Sequence, residues 1–193
     1  PAAEIDDLER IGGLAITDIG ENEFGRDVLL QPDGKILVGG RQENYYYDYA
    51  LARYTATGTL DTGFGSDGTQ VIDLNDYDYL NALALQADGK IIAAGYTVNN
   101  NDYYDFALAR LNSNGALDSS FGSGGWVTTS FAGGENNNYL SDVVIQPDGR
   151  ILAGGAAYDE SDNYEDFALA RYYSDDQVLP TFRYDPNGAF DAL

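Results

Sequence analysis

One phrase governs this chain: QPDGKILVGG from Gln31 returns as QADGKIIAAG from Gln86 and as QPDGRILAGG from Gln146, at spacings of 55 and 60 residues. A second phrase follows each copy, DYALARY from Asp48, DFALARL from Asp105 and DFALARY from Asp166. A third closes two of them, GTLDTGFGSDG from Gly58 and GALDSSFGSGG from Gly115. A period of this length marks an array of supersecondary units, none able to bury its apolar face without a neighbour. Cut at the repeat, the chain divides into an arm or linker over 1–12, then repeats over 13–66, 67–123 and 124–193. The last repeat carries an insertion at 171–182 and an incomplete end.

Four short apolar stretches make up the first repeat: Leu14-Ala15-Ile16-Thr17, Val28-Leu29-Leu30-Gln31, Lys35-Ile36-Leu37-Val38 and Tyr49-Ala50-Leu51-Ala52. Their length and their Val, Ile, Leu and Tyr content predict strands. Between the second and third stands Pro32-Asp33-Gly34, in which Pro presets a turn and Gly supplies a positive φ, so a tight hairpin is expected. The third repeat keeps Pro147-Asp148-Gly149, whereas the second has Ala87-Asp88-Gly89. Four antiparallel strands recurring at this period describe a β-propeller blade, since the coils of a β-solenoid are shorter. The expected fold is all-β: three four-stranded antiparallel blades of β-propeller type, open or completed by another chain. The small residues Gly39, Gly40, Ala93, Ala94, Gly154 and Gly155 are expected where blades converge and backbones crowd.

These phrases, QPDGKIxxxG, DFALARY and NxxGxLDxxFGxxG in fixed order, resemble the delta-60 repeat, a β-propeller repeat of bacterial and often secreted proteins. The resemblance covers residues 13–193. It implies the fold and an extracellular or cell-surface setting. The family is largely without assigned activity, so the resemblance implies no catalytic residues.

Composition narrows the chemistry. The chain has 193 residues, with 32 acidic against 10 basic side chains and a net charge of −22. That sign opposes nucleic-acid backbones and anionic membrane surfaces, so neither is expected as a partner. There is no apolar run long enough for a transmembrane helix. No His is present, which removes the commonest general base, Ser–His and Cys–His nucleophile pairs and ordinary zinc sites. The absence of Cys excludes disulfides and thiol catalysis. The absence of Met suggests a processed or trimmed product. An enzyme is not expected, and no catalytic, cofactor or metal residue is assigned.

The ends suggest association. GLAITDI, at 13–19, is the stretch that elsewhere follows FGSDG or FGSGG, and the chain stops just before it would recur. The cut is thus circularly permuted. Propellers need about four to eight blades, and unpaired blade edges attract strands. Three outcomes satisfy the edges: a six-bladed ring of two chains, a place in a longer parent array, or head-to-tail contacts that propagate into a filament. Strand donation between subunits is the expected joint. In the insertion, Tyr172, Tyr173, Val178, Leu179 and Pro180 suggest a covering loop or a docking arm. Within 1–12, Ile5, Leu8 and Ile11 suggest a linker or a short packing helix.

Three residue sets remain as candidates. The recurring pairs Asp48/Arg53, Asp105/Arg110 and Asp166/Arg171 are five apart on a strand and point to opposite faces, so a scaffold role is expected. Loops over 42–48, 99–105 and 159–166 carry oxygen ligands of the kind calcium prefers: Asp102 with Asp105, and Asp159, Glu160, Asp162 and Asp166. None matches an EF-hand loop, and calcium is an alternative to plain solvated loops. The same regions hold Tyr45, Tyr46, Tyr47, Tyr77, Tyr79, Tyr103, Tyr104, Tyr158 and Tyr164, suited to protein contact or carbohydrate stacking. Trp126 is expected in packing, and no Asn-x-Ser/Thr sequon or GxGxxG motif occurs. The expected role is a non-enzymatic extracellular structural or adhesive module that self-associates. The alternative is a propeller fragment recognising cell-surface carbohydrate, assisted by calcium.

Overall fold

The computed structural model describes residues 13–131, 136–159 and 163–173. The arm at 1–12 and the insertion and end beyond Tyr173 lie outside the described residues. Among the described residues there are eleven strands: β1 (Asn22–Leu30), β2 (Ile36–Glu43), β3 (Tyr47–Tyr54), β4 (Thr69–Ile72), β5 (Asp78–Leu85), β6 (Ile91–Val98), β7 (Tyr104–Leu111), β8 (Trp126–Thr129), β9 (Asn138–Ile145), β10 (Ile151–Asp159) and β11 (Tyr164–Tyr172). They form three antiparallel sheets in simple meander order, β1-β2-β3-β4, β5-β6-β7-β8 and β9-β10-β11.

The sheets are therefore offset by one strand from the sequence repeat. β4 pairs with β3 and β8 with β7, so each outer strand comes from the opening residues of the following repeat. The boundaries at 66/67 and 123/124 mark repeats of sequence, and the sheets cross both. One expectation is corrected: Leu14 to Thr17 belong to no strand. The reason is the same offset. This segment is an outer strand by its place in the repeat, and the described residues contain no third strand beside it.

Hairpin chemistry follows the turn residues. In each QxDG turn the Gly amide donates to the Gln carbonyl, at 2.9, 2.9 and 2.8 Å, and Gly34, Gly89 and Gly149 have φ near +85°. Ala87 sits in the same turn as the two prolines do, so Gly rather than Pro sets its shape. Higher up, each inner strand has a register shift at one repeat position, between Gly25 and Asp27, between Leu80 and Ala82, and opposite Gly154 and Gly155. There the inner-strand carbonyl crowds the second strand. A Cβ on Gly40, Gly95 or Gly155 would lie about 2 Å from the carbonyl oxygen of Phe24, Tyr79 or Tyr139. These glycines thus answer a bulge within a sheet. Gly39 answers the crowding expected between blades, its Cβ position lying 2.9 Å from Leu83 of the next sheet.

Two apolar cores fill the two joints between sheets. Leu37, Tyr49 and Leu51 of the first sheet, with Phe64 of the turn between β3 and β4, meet Leu83, Ile91, Ala93 and Leu111 of the second. Ile92, Ala94, Phe106 and Leu108 of the second meet Leu140, Val143, Ile151 and Tyr172 of the third. Burial of such side chains yields about 1.5–3 kcal/mol each, and only stacking provides it, because each sheet is covered by its neighbours.

At the lower rim, a repeated ion cluster clips strand to turn. The Arg53 Nε donates to Asp61 at 2.8 Å while Lys35 reaches the same carboxylate at 3.1 Å. Arg110, Asp118 and Lys90 repeat this at 2.8 and 2.9 Å. Each guanidinium also lies over a buried ring, Phe64 or Phe121, at 4.6 Å. Arg53 additionally donates to the Ser113 carbonyl of the next repeat. The hydrogen bond from Lys35 holds the Asp61 carboxyl below its ordinary range. For Asp118, burial pushes upward, but bonds from Ser120 and Lys90 and the Arg110 charge outweigh it. Arg53 and Asp61, like Arg110 and Asp118, stand eight residues apart in the sequence.

Candidate functional site

Three features are not explained by packing alone: the upper rim of the joints, a run of tyrosines, and the two outer faces of the stack.

At the upper rim of the first joint, Asp48, Asp73 and Asp78 bring carboxylate oxygens within 4.8 Å of one another, the one such group of three among the described residues. Asp48 opens β3, Asp73 follows β4, and Asp78 opens β5 in the next sheet. Asp78 is fully buried and accepts bonds from the amides of Leu74 (2.6 Å) and Asn75 (3.3 Å) and from the Thr97 hydroxyl. Burial pushes its carboxyl up to about 7 despite these three donors, and the Asp48 charge adds to the rise. Asp48 is pushed up as well, chiefly by burial. The second joint solves the same position differently. Asn138 stands where Asp78 does, and its amide donates to Asp105 at 3.1 Å, to the Tyr104 carbonyl at 3.2 Å and to the Asn136 carbonyl at 3.0 Å. Ser130 stands where Asp73 does.

The calcium candidates read from sequence divide differently. Asp105 is buried and held by Asn99 (3.0 Å) and Asn138, while Asp102 caps an exposed turn with φ 63°. Asp159 and Asp166 stand at opposite ends of a hairpin rung set, Asp159 facing Tyr164 and Asp166 facing Ala157. Glu160 and Asp162 lie outside the described residues. The Asp48/Asp73/Asp78 group escaped sequence reasoning because its members come from three elements; the shared repeat position of Asp78 and Asn138 was the available signal.

Beside this rim the tyrosines form a continuous ladder. Tyr45, Tyr46, Tyr77, Tyr47, Tyr79, Tyr96, Tyr104 and Tyr139 follow one another with centroids 4.9 to 5.8 Å apart, mostly edge to face. The Arg41 guanidinium lies over Phe24, Tyr47 and Tyr79 at 4.8 to 5.0 Å. Most of the ladder spans the joints, which explains why tyrosine crowds these loops. Its outer end, Tyr45 and Tyr46, lines an open cleft with Asn44, Asp48, Asp73, Asn75 and Asp76.

The outer faces complete the set. Tyr49, Phe106 and Phe167 occupy one repeat position on the third strand of successive sheets. Tyr49 and Phe106 are fully buried under the next sheet; Phe167 is fully exposed. On the opposite face, Val28, Leu83 and Val143 are equivalent, and their exposures are 64, 7 and 4 %. So the front of the first sheet, crossed by the segment at 13–19, and the back of the third are interface surfaces of the kind found inside the stack, and no further sheet covers either among the described residues.

Three sheets whose equivalent residues repeat in place make the comparison with known families specific. The model of a family described as a β-propeller domain of unknown function, DUF5122, matches residues 31–64, 86–121 and 146–182, together more than half the chain. The chain belongs to the DUF5122 β-propeller family. The match falls on the three repeats of the delta-60 type, and the three sheets are open DUF5122 blades of four, four and three strands. No curated protein matches the chain.

Proposed function

We propose that this DUF5122 chain is a non-enzymatic structural or adhesive module of the cell exterior, which self-associates through the two outer faces of its stack. The supporting observation is the segment 13–19. Thr17 bonds the Tyr54 hydroxyl at 2.7 Å, and at the same repeat positions Thr129 of β8 bonds Tyr172 at 2.7 Å. The amides of Ile19 and Gly20 donate to Glu23, just as those of Leu74 and Asn75 donate to Asp78. The segment therefore lies across the first sheet as β8 lies across the third, in the place of an outer strand whose own sheet is not beside it. Ile16 is 81 % exposed there. The third sheet meanwhile offers β11 as an edge without a fourth strand among the described residues.

The occupant that fits both is a second copy. Its segment 13–19 supplies the missing outer strand to β11, and its Val28 face covers Phe167. Such a contact is heterologous, so it closes into a ring or runs on as a filament according to its rotation. Sedimentation at rising concentration, with electron microscopy of the same sample, tests this. Species larger than one chain are expected, lost on deletion of 13–19 or in Phe167→Ser; a monomer at every concentration overturns the reading.

A second reading attaches to the cleft at Tyr45 and Tyr46. Exposed rings beside carboxylates and amides suit a sugar, the ring faces stacking and the oxygens and amides meeting hydroxyls. Calcium at Asp48, Asp73 and Asp78 belongs to this alternative. Glycan-array binding lost when Tyr45, Tyr46 and Tyr47 become Ser supports it, and an array without signal removes it.

A further inference from the structure

Resting on the self-association reading, we propose that the joint between copies is gated by protons, because docking brings together three carboxylates contributed by two chains. The geometry follows from the register already present twice in the molecule. β4 pairs with β3 as Tyr49↔Ile72 through Ala52↔Thr69, and β8 with β7 as Phe106↔Thr129 through Ala109↔Trp126. Carried to the open edge by repeat position, this register sets Phe167 against Thr17, Ala168 against Ile16, Leu169 against Ala15 and Ala170 against Leu14 of the incoming copy.

The residues following these strands then decide the electrostatics. Asp166 stands where Asp48 and Asp105 stand, Asp18 where Asp73 and Ser130 stand, and Glu23 where Asp78 and Asn138 stand. Glu23 already makes the amide contacts that Asp78 makes. The joint between copies thus repeats the three-carboxylate arrangement of the first internal joint, not the amide arrangement of the second. By repeat position, the other charged groups nearest the joint are Glu165 of β11 and Asp159 of β10, with Glu21, Arg26 and Glu43 of the incoming copy; Asp27 and Arg41 are turned to that copy's own second sheet, Asp27 accepting from the Leu83 amide at 2.7 Å. Arg41 is held over aromatic rings. Carboxylates remain in excess, so closing the joint requires at least one of the three to bind a proton.

The sign follows from linkage. A carboxyl whose pKa is higher in the joint than in the free chain takes up a proton on docking. Association is then undiminished below the free carboxyl range, weakens about tenfold per pH unit for each proton bound, and levels off above the joint's own pKa.

The experiment follows the association constant of the full chain by sedimentation from about pH 5.5 to about pH 8.5, at fixed ionic strength. The expected result is at least a tenfold loss across that range in the parent chain. Asp18→Asn and Asp166→Asn, which act from opposite sides of the joint, should flatten the profile and retain association at the alkaline end. Asp67→Asn, an equal change of net charge away from the joint, should leave the parent profile in place. A profile flat in the parent chain, or shifted equally by Asp67→Asn, overturns the gate while self-association stands. Absence of association at every pH in every variant overturns the self-association reading and the gate with it. Association that needs calcium even at the acid end overturns proton gating and hands the triad to the ion.

Discussion

The two internal joints are made from the same repeat positions and solve one problem in two ways. In the first, Asp48, Asp73 and Asp78 crowd together and burial drives Asp78 up to about 7. In the second, Asn138 brings an amide donor to Asp105 and Ser130 replaces the third carboxylate, so the rim closes without a proton, while the Asn138 Oδ1 stays buried without a hydrogen-bond partner. Below the rim the joints match, each with its buried aromatic residue from the third strand and its Arg–Asp–Lys clip. The contrast separates the apolar packing, which the two joints share, from the rim, where their charge differs.

The strongest way to break this comparison is at the shared apolar level. Tyr49→Ala removes a fully buried ring and its hydrogen bond to the Ala107 carbonyl across the joint (3.1 Å), and should cost about 3–5 kcal/mol by denaturant unfolding. Phe106→Ala should cost a similar amount in the second joint; a much smaller loss there would mean that the joints differ in packing as well.

The rim offers a reciprocal exchange of smaller size. Asn138→Asp should set a second carboxylate against Asp105 in the second joint, with a loss on the order of 1–3 kcal/mol at about pH 8. Conversely, Asp78→Asn should stabilise the chain near pH 8, by less than the first exchange destabilises it, since Thr97 must turn its hydroxyl. The sign is set by the raised carboxyl: ionised Asp78 opposes folding, so the gain is absent near pH 4, grows as the pH rises, and is complete above about 7. Thermal melts at several pH values check both, and a gain from Asp78→Asn that is equal at pH 4 and pH 8 would contradict the assignment.

Much of this architecture is legible in the chain itself. Gly34, Gly89 and Gly149 mark hairpins because the turn demands a positive φ, and Leu37, Leu51, Ile92 and Leu108 mark strands because alternation suits a sheet covered on its faces. What sequence reading missed was phase. The similarity of Leu14-Ala15-Ile16-Thr17 to a strand is genuine, yet pairing depends on a neighbour that the local residues do not encode. The opposite-face placement of the repeated Asp and Arg of the second phrase leaves the partner of each unnamed, and Arg53 and Arg110 bond Asp61 and Asp118 on the following turn. Asp48 and Asp78 lie thirty residues apart and meet only because successive sheets stack, so no spacing rule could have paired them.

The offset between repeat and sheet also bears on inheritance. A duplication or loss of one whole repeat cuts through a sheet, and the new junction is healed when an outer strand from the added copy pairs with the sheet already there. Every open array so produced, whatever its number of repeats, ends in the same two surfaces. Changes in length can therefore accumulate by unequal exchange without requiring new edges to be invented, and the chemistry at the rim can drift from acid to amide one joint at a time.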